Sequence, residues 1–276
     1  MNIIDFRYRP STVETISGIA NNPVYFEFCK RLPFLNQPQV TFEEAMEELA
    51  GLHVVKAVVT GRDIESTYGA IPSNDEVLSY VQKQPDRLIG FYGFDPHKGM
   101  QAILSLRNAL KEGFSGASID PGMARLPISD ARFYPLYAIC CEFDVPVAIT
   151  TGLSPFMPKV VLEHGAPCHI DRVATDFPEL RMVISHACYP RVLEALAVSQ
   201  RNPNVYLDFS TIEHLPGAEC LVQAASTTHA EKIVFSSANP FNSLKKAIDY
   251  YCHLNLDSNI LDNIMFNNAA HILKLY

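Results

Sequence analysis

The sequence lacks the features that mark several large classes of protein. No apolar run approaches the roughly 20 residues that a membrane-spanning helix needs, and the amino terminus has neither the basic nor the apolar region of a secretory signal. No polybasic cluster offers a surface to anionic lipid. The net charge of -8 and the pI near 5.6 argue against a nucleic-acid binder, which needs a basic stripe. We therefore expect a cytoplasmic protein that binds neither membrane nor nucleic acid.

Cysteine and glycine patterns exclude further classes. The seven cysteines are odd in number and scattered, and their spacings match neither a zinc ribbon nor a small disulfide scaffold. This usage is typical of a reducing compartment. No glycine-rich dinucleotide loop follows the first apolar run, which argues against a nucleotide-binding doubly wound sheet.

What the chain does contain is a regular alternation of apolar segments. Its 276 residues are 48% hydrophobic and 19% charged, an ordinary globular composition that can bury a sizeable core. Short apolar runs alternate with helical patterns, which favours a parallel sheet covered on both faces. The runs lie at residues 3–9, 54–59, 88–94, 116–120, 145–151, 182–185, 205–209 and 233–236. Eight such units in one chain predict a single (β/α)8 TIM-like barrel domain over residues 1–276.

Two local features help to place the first elements. Residues 11–39 contain no long regular pattern, and we expect a loop with a short helix that lies over the carboxyl-terminal face of the barrel. Thr41 and Glu44 have the spacing of a capping box, which predicts a helix that begins at residue 42 and ends near Gly51.

The first apolar run carries three charges. Strict alternation along a strand puts Asp5, Arg7 and Arg9 on one face and Ile4, Phe6 and Tyr8 on the other. Three charges cannot lie against a dry core. This face therefore meets solvent at an edge strand or lines a polar pocket.

In a (β/α)8 barrel the active site lies at the carboxyl ends of the strands. Polar residues end every predicted strand: Arg7, Arg9, Thr60, Asp95, Asp120, Thr150, Thr151, His186, Asp208, Ser210, Ser237 and Asn239.

A series of short segments occurs in a specific order along nearly the whole chain. They are Asp5, Pro85-Asp86-Arg87-Leu88-Ile89-Gly90, Gly113-Phe114-Ser115-Gly116, Tyr134-Pro135-Leu136-Tyr137, Val145-Pro146-Val147, Asp176-Phe177-Pro178-Glu179-Leu180, Ile184-Ser185-His186, Asn204-Val205-Tyr206-Leu207-Asp208 and Asn268-Ala269-Ala270. This order resembles the amidohydrolase-related branch of the amidohydrolase superfamily, which includes aminocarboxymuconate-semialdehyde decarboxylase and dicarboxylate lactonases. The resemblance implies a barrel with its site at the strand ends.

The metal-binding signature of that family is largely replaced. The family begins strand one with Asp-x-His-x-His, and those two histidine positions are Arg7 and Arg9 here. The family's strand-five histidine is Thr150 and its strand-eight aspartate is Ala238, so that of these positions His186 alone keeps its residue. A catalytic metal site needs about three protein ligands, and we expect no metal cofactor. A divalent metal is disfavoured, because two fixed guanidinium charges would repel it.

Arginines at these positions suit a substrate carboxylate or phosphate, which a guanidinium grips with two hydrogen bonds. The alternative for Arg7 and Arg9 is a structural ion pair with Asp5 or Asp208. His186 is the candidate general acid or base, or else a buried histidine with satisfied hydrogen bonds.

The remaining strand-end residues have two interpretations each. Asp208 is a catalytic base or a partner for an arginine. Thr150, Thr151, Asp120 and Asn239 are candidate substrate-binding residues, although Asp120 precedes Pro-Gly and can equally cap a turn.

Histidines and cysteines away from the predicted site have less specific interpretations. Cys188 follows His186 by two residues, but nothing in the sequence identifies the third group that a Cys–His nucleophile needs. His164 and His169 are expected to be surface or packing residues.

The sequence leaves three functions open. The first is a metal-independent enzyme, a lactonase-type hydrolase or a carbon–carbon lyase, whose partner is a small anionic or carboxylated molecule. The second is a non-catalytic relative that binds a small anion or a protein partner. The third is a zinc hydrolase with unusual ligands. Homo-oligomerisation also remains open.

Overall fold

The computed structural model describes residues 1–21, 38–152 and 160–276. Seven parallel strands follow one another in chain order around a curled sheet, each paired with its sequence neighbours. They are β1 (Ile3–Tyr8), β2 (Val54–Thr60), β3 (Leu88–Gly93), β4 (Ala117–Ile119), β5 (Val147–Thr150), β6 (Met182–Ser185) and β7 (Val205–Leu207).

Residues 232–239, here called the closing segment, take the place of the eighth strand. On one side the amide of Leu207 donates to the carbonyl of Lys232 at 2.8 Å, and the amide of Val234 donates back to Leu207 at 3.0 Å. On the other side the amide of Phe6 donates to the carbonyl of Phe235 at 2.9 Å. The ladder is too irregular to form a strand, but it joins β7 to β1. The predicted barrel is confirmed, and its eighth position is taken by the irregular closing segment instead of a regular strand.

The helices follow the strands and cover their outer faces. Within the described residues they are α1 (Val13–Ala20), α2 (Phe42–Gly51), α3 (Glu65–Tyr68), α4 (Asn74–Lys83), α5 (Met100–Glu112), α6 (Pro121–Ala124), α7 (Tyr134–Glu142), α8 (Pro167–Asp176), α9 (Val192–Arg201), α10 (Glu219–Ala225), α11 (Leu244–Cys252), α12 (Ser258–Asp262) and α13 (Asn268–Leu273). None of them is long and apolar enough to cross a bilayer.

The predicted capping box at α2 is confirmed. Glu44 donates its amide to the Thr41 hydroxyl at 3.2 Å, and the Thr41 amide donates to the Glu44 carboxylate at 2.7 Å. The expected helix within residues 11–39 is α1. Its placement over the barrel mouth is not tested, because residues 22–37 lie outside the described part of the chain.

Two apolar layers hold the barrel together. The interior layer takes residues from strands all around the ring, including Ile4, Phe91, Val183 and Val234. Ile272 of α13 belongs to the same layer, and its carbonyl accepts a hydrogen bond from Arg181 at 2.9 Å, just before β6 begins. The last helix therefore closes the amino-terminal end of the barrel. The opposite end remains for the polar residues that end the strands.

Strand β1 does not keep the strict alternation that the sequence predicts. Phe6 packs in the interior layer, whereas Tyr8 packs with the outer layer that faces the helices. The pairing with β2 shifts register between Asp5 and Tyr8, and such a bulge breaks the alternation of faces. Phe6 and Arg7 consequently both turn towards the inside, and the prediction that Tyr8 shares the face of Phe6 is wrong.

Candidate active site

Arg7 lies at the centre of the barrel mouth and reaches across it. Its side chain donates to the Ser185 hydroxyl at the end of β6 (3.0 Å) and to the Thr150 hydroxyl at the end of β5 (3.1 Å). The residue is 5% exposed. Burial, followed by the charge of Arg62, lowers the pKa of Arg7. Its positive charge is thus held by neutral hydroxyl groups in a poorly solvated place.

Arg9 is held in the same manner nearer the rim. It donates to both the carbonyl (3.0 Å) and the hydroxyl (2.9 Å) of Thr60 at the end of β2. Burial, with the charges of Arg62 and Arg7, lowers the pKa of Arg9 strongly. Among carboxylates of the described residues, none lies within ion-pair distance of Arg7 or Arg9.

The alternative of an ion pair with Asp5 is not what the structure shows. The Asp5 carboxylate accepts from the backbone amides of Arg7 and Ser237, both at 3.0 Å, and from the Ser237 hydroxyl. Burial raises the pKa of Asp5 to about 6. Asp5 therefore fastens β1 to the closing segment and does not neutralise a guanidinium.

His186 lies at the end of β6 in a defined tautomer. Its Nδ1 lies 2.6 Å from the carbonyl oxygen of Ser210, which can only accept, so Nδ1 carries the hydrogen. Nε2 is buried and has no partner among the described residues. Burial, followed by the charge of Arg7, lowers the pKa of His186 to about 4. At neutral pH the imidazole is uncharged and Nε2 keeps its lone pair.

A strained turn fixes this imidazole. His186, Ala187 and Cys188 all have left-handed backbone conformations, with φ of 60°, 42° and 54°, and each such non-glycine residue costs about 1–2 kcal/mol. Two side chains hold the turn: Asp208 accepts from the amide of His186 (3.2 Å), and Thr151 accepts from the amide of Cys188 (3.0 Å). Backbone strain is therefore stored at the residue with the free imidazole nitrogen.

Glycine 152 is needed beside this turn. A side chain at Gly152 would place its Cβ 2.7 Å from the Cβ of His186, and the backbone there has φ of +66°. The tight approach fixes the end of β5 against the end of β6.

Asp208 supports His186 and is not an arginine partner in the described contacts. Its Oδ1 accepts from the amide (3.0 Å) and the hydroxyl (2.6 Å) of Ser210, besides the amide of His186. Its Oδ2 is buried and has no hydrogen-bond partner among the described residues. The Asp208 carboxylate thus orients Ser210, whose carbonyl holds Nδ1 of His186, and Asp208 is a positioning residue.

The sequence did not single out Arg62, which completes the cluster of guanidiniums. Its Nε and one terminal nitrogen donate to the two oxygens of Asp120 at 2.6 and 3.1 Å. Burial is the largest influence on the pKa of Asp120 and would raise it, but the charge and hydrogen bonds of Arg62, together with the charge of Arg7, outweigh burial and the pKa is lowered. Asp120 does not cap α6 through its side chain, so the turn-capping interpretation is wrong. The pattern identified Thr60 as the polar residue that ends β2, and Arg62 lies two residues beyond it, in the loop that follows.

Thr151 and Asn239 are engaged by the protein itself. The Thr151 hydroxyl donates to the carbonyl of Ser185 at 2.6 Å while it supports the left-handed turn. The Asn239 amide donates to the carbonyl of Arg9 at 2.7 Å and to the hydroxyl of Ser11 at 2.9 Å. Both residues position parts of the site, and their predicted contact with substrate stays a prediction.

Thr150 keeps a place beside the charged groups. It accepts from Arg7 at 3.1 Å, and it is a minor cause of the lowered pKa of the Asp120 carboxylate. Cys188 is buried, and burial raises its thiol pKa to about 12, so it is not an activated nucleophile at neutral pH.

A cavity opens over the rim of the mouth. It has a volume of about 730 Å³ and is lined by Arg9 and Arg62, by polar residues of α1 such as Thr15, and by the segment that leads to α4. Two of the three guanidiniums therefore face space of the size of a small-molecule site.

The residues of the barrel mouth do not fit the divalent metal that the fold family implies. A catalytic centre needs about three His, Cys, Asp or Glu ligands, and in the described part of the mouth the unpartnered ligand atoms are His186 Nε2 and Asp208 Oδ2. Among the described residues, one set of three such side chains has its ligand atoms within 4.8 Å of one another, and it lies elsewhere, at Glu163, Cys168 and His169. Arg7 adds a fixed positive charge beside His186.

Comparisons with known proteins agree with the geometry of the fold. Residues 21–275 match the model of a family described as Amidohydrolase, and no curated protein matches significantly. An uncharacterized TIM-barrel protein of Bordetella bronchiseptica is 30% identical, with a TM-score of 0.81 and 99% of each chain covered.

Two further solved structures are more distant and support the fold alone. A 2,6-dihydroxybenzoate decarboxylase from Rhizobium is 16% identical, with a TM-score of 0.74 over 100% of this chain and 99% of its own. A dihydroxybenzoic acid decarboxylase from Polaromonas, with bound manganese and the inhibitor 2-nitroresorcinol, is 18% identical, with a TM-score of 0.71 over 100% of this chain and 98% of its own.

Proposed function

Because the chain belongs to the amidohydrolase family, we propose that it is a metal-independent hydrolase of the lactonase type, or a related carbon–carbon lyase, that acts on a small carboxylated compound. The family is one of enzymes, which supports the coarser expectation of a hydrolase or lyase. The observation that carries the finer proposal is the buried Arg7 guanidinium, which has only hydroxyl partners among the described residues and lies beside a neutral His186.

Arg7 and Arg9 bind the carboxylate of the substrate in this proposal. A buried guanidinium that forms no ion pair carries a desolvation cost that an incoming anion reduces. Arg7 offers a planar fork in the middle of the mouth, and Arg9 lines the cavity above it. The same charges stabilise an oxyanion that develops on the substrate during hydrolysis or cleavage.

His186 moves the proton. Its Nδ1 is held by Ser210, so Nε2 accepts a proton from an attacking water in hydrolysis. In carbon–carbon cleavage it would take a proton from a substrate hydroxyl and return it to the carbanion. The pKa of about 4 makes His186 a weak base in the free protein, and the charge of Arg7 is the second cause of that low value. A substrate carboxylate on Arg7 cancels this charge, so the pKa of His186 rises when substrate binds. Binding and activation of the base are thereby coupled.

Anion binding is tested by thermal unfolding in phosphate or sulfate. A ligand that prefers the folded state raises its melting temperature, and we expect a saturable rise for the wild type. Arg9→Met should abolish this rise with the fold intact. The control is Arg132→Met, which removes an exposed arginine that is paired with Asp130 and should leave the response unchanged. Absence of a shift in the wild type, or an equal shift in Arg9→Met, contradicts the proposed anion site.

Catalysis is tested on protein dialysed against a chelator. A panel of carboxylated lactones and hydroxybenzoates is assayed for loss of substrate, and turnover is expected without added metal. His186→Asn keeps a donor for Ser210 and should lower kcat by roughly 10²–10⁴-fold while phosphate still binds. Turnover that requires one equivalent of metal contradicts the proposal. A saturable phosphate response without turnover of any compound supports the non-catalytic alternative.

A further inference from the structure

A second group of chemically reactive side chains lies outside the barrel mouth. Glu163 belongs to the short turn Leu162–Gly165, and Cys168 and His169 belong to the first turn of α8. One ligand atom of each residue lies within 4.8 Å of those of the other two, and His169 Nε2 lies 3.9 Å from a Glu163 oxygen. Thiolate, imidazole and carboxylate are the three ligand types that zinc prefers.

The imidazole of His169 is oriented as metal-binding histidines are. Its Nδ1 lies 2.9 Å from the Ser129 hydroxyl, which can accept the Nδ1 hydrogen and leave the lone pair on Nε2. That Nε2 atom is buried and has no hydrogen-bond partner among the described residues. A polar group hydrogen-bonded to the far nitrogen commonly fixes the tautomer of a ligand histidine. The unpartnered lone pair is the second, independent sign of a site.

The carboxylate of Glu163 is oriented as well. Arg191 donates to its Oε2 at 3.0 Å, and the other oxygen, Oε1, is the one that faces His169. The thiol of Cys168 is free and exposed, so a cation can reach it from solvent. Each of the three side chains thus has a ligand atom available without the loss of an existing hydrogen bond.

We propose that Glu163, Cys168 and His169 bind one thiophilic divalent cation of the zinc class, with the fourth position taken by water. Tetrahedral zinc brings its ligand atoms to about 3.3–3.6 Å from one another, so the group contracts by about an ångström when the cation binds. The bound cation ties the turn after β5 to the start of α8, and it is separate from the proposed catalytic residues.

Cobalt(II) is the probe that reports on the ligands directly. A thiolate bound to cobalt gives an intense charge-transfer absorption, and titration of the chelator-treated protein should reach its endpoint at one equivalent. Cys168→Ser should remove this absorption, and His169→Gln should weaken binding at least tenfold. Cys252→Ser is the matched control, because Cys252 is an exposed free cysteine at the end of α11, and it should titrate like the wild type.

Zinc itself is tested by thermal unfolding. At a concentration about 100 times Kd, a site that exists only in the folded chain should raise the melting temperature on the order of 5 °C. Ser129→Ala, which removes only the group behind the imidazole, should lower zinc affinity by roughly 10–100-fold. If Cys168→Ser does not fold, as judged by circular dichroism, the Ser129→Ala and His169→Gln titrations decide. The proposal is overturned if cobalt absorption does not appear at one equivalent, or if it survives Cys168→Ser.

Discussion

Two kinds of buried arginine share the barrel mouth. Arg62 forms a two-point ion pair with Asp120, and both side chains are about a tenth exposed or less. Arg7 is equally buried but is held by the hydroxyls of Thr150 and Ser185. The first charge is paired with a carboxylate within the protein, whereas we propose that a ligand neutralises the second. The difference separates an arginine that holds the mouth together from one that is available for recognition.

The same contrast appears in what each arginine does to its neighbour. Arg62 lowers the pKa of Asp120 and keeps that carboxylate ionised. The charge of Arg7 adds to burial in lowering the pKa of His186, and that imidazole is neutral at pH 7. The first effect stabilises the fold through an ion pair. The second leaves the lone pair of His186 Nε2 available for chemistry.

The largest expected effect comes from the ion pair. Asp120→Asn breaks the buried two-point ion pair with Arg62, and we expect a loss of about 3–5 kcal/mol in the free energy of unfolding, measured in urea. The control is Asp130→Asn, which breaks a more exposed pair with Arg132 and should cost less than about 1 kcal/mol. Equal losses in the two variants would remove the distinction between the arginines.

The second effect is a pH dependence that belongs to His186. Its pKa is about 4 in the folded chain and near 6.5 when unperturbed. Below pH 6.5 the unfolded chain binds a proton there that the folded chain takes up only near pH 4, so wild-type stability falls across that window. His186→Asn lacks this loss, and relative to wild type it should gain on the order of 3 kcal/mol between pH 6.5 and 4.

This comparison uses denaturant unfolding at several pH values. Asp5 acts in the opposite direction, because its folded pKa of about 6 exceeds the ordinary 3.8. Asp5 is present in both proteins, so its contribution cancels in the difference. Parallel pH profiles for the wild type and His186→Asn would show that His186 titrates normally in the folded chain.

The third effect is smaller and has the opposite sign to the first. Arg7→Met removes a buried charge that has no carboxylate partner among the described residues, and we expect a gain of about 1 kcal/mol in stability. Arg62→Met removes the partner of Asp120 and should destabilise the protein. Urea unfolding of the two variants measures both signs together, and a destabilised Arg7→Met would mean that the hydroxyl contacts balance its charge.

The smallest effect concerns the backbone beside His186. Ala187 has φ of 42°, a conformation that glycine adopts without strain, so Ala187→Gly should stabilise the protein by about 0.5–1 kcal/mol. Ala195→Gly is the control within helix α9, where glycine should cost about 1 kcal/mol. Thermal unfolding distinguishes these outcomes, and a destabilised Ala187→Gly would show that the buried methyl group outweighs the strain.

Local sequence signals predicted the features that depend on neighbouring residues. The Thr41 capping box needs only residues three positions apart, and it forms as expected. Alternation of apolar segments with helices predicted the barrel, because each unit buries its own face. Strand-end position correctly brought Arg7, Thr150 and His186 to one mouth, since parallel strands end on the same side of a barrel.

The partners of these side chains could not be predicted in the same way. Whether Asp5 accepts from an arginine side chain or from backbone amides depends on a bulge in β1, and pairing with β2 sets that bulge. The pair of Arg62 and Asp120 joins residues 58 positions apart, a distance over which one sequence carries no spacing signal. The grouping of Glu163 with His169 likewise follows from the packing of a turn against a helix.

The hydrogen bonds from Ser237 to Asp5 affect the order in which the barrel forms during synthesis of the chain. The two residues are 232 positions apart, and Asp5 is completely buried in the finished barrel. At about 5–20 residues per second, the ribosome takes on the order of ten to fifty seconds to make the intervening chain. Until that chain is complete the first strand can pair with β2 but lacks its other neighbour, and Asp5 lacks the hydrogen bonds of Ser237. Ring closure is therefore a late step of biosynthesis, and the barrel mouth acquires its shape only when the closing segment has been made.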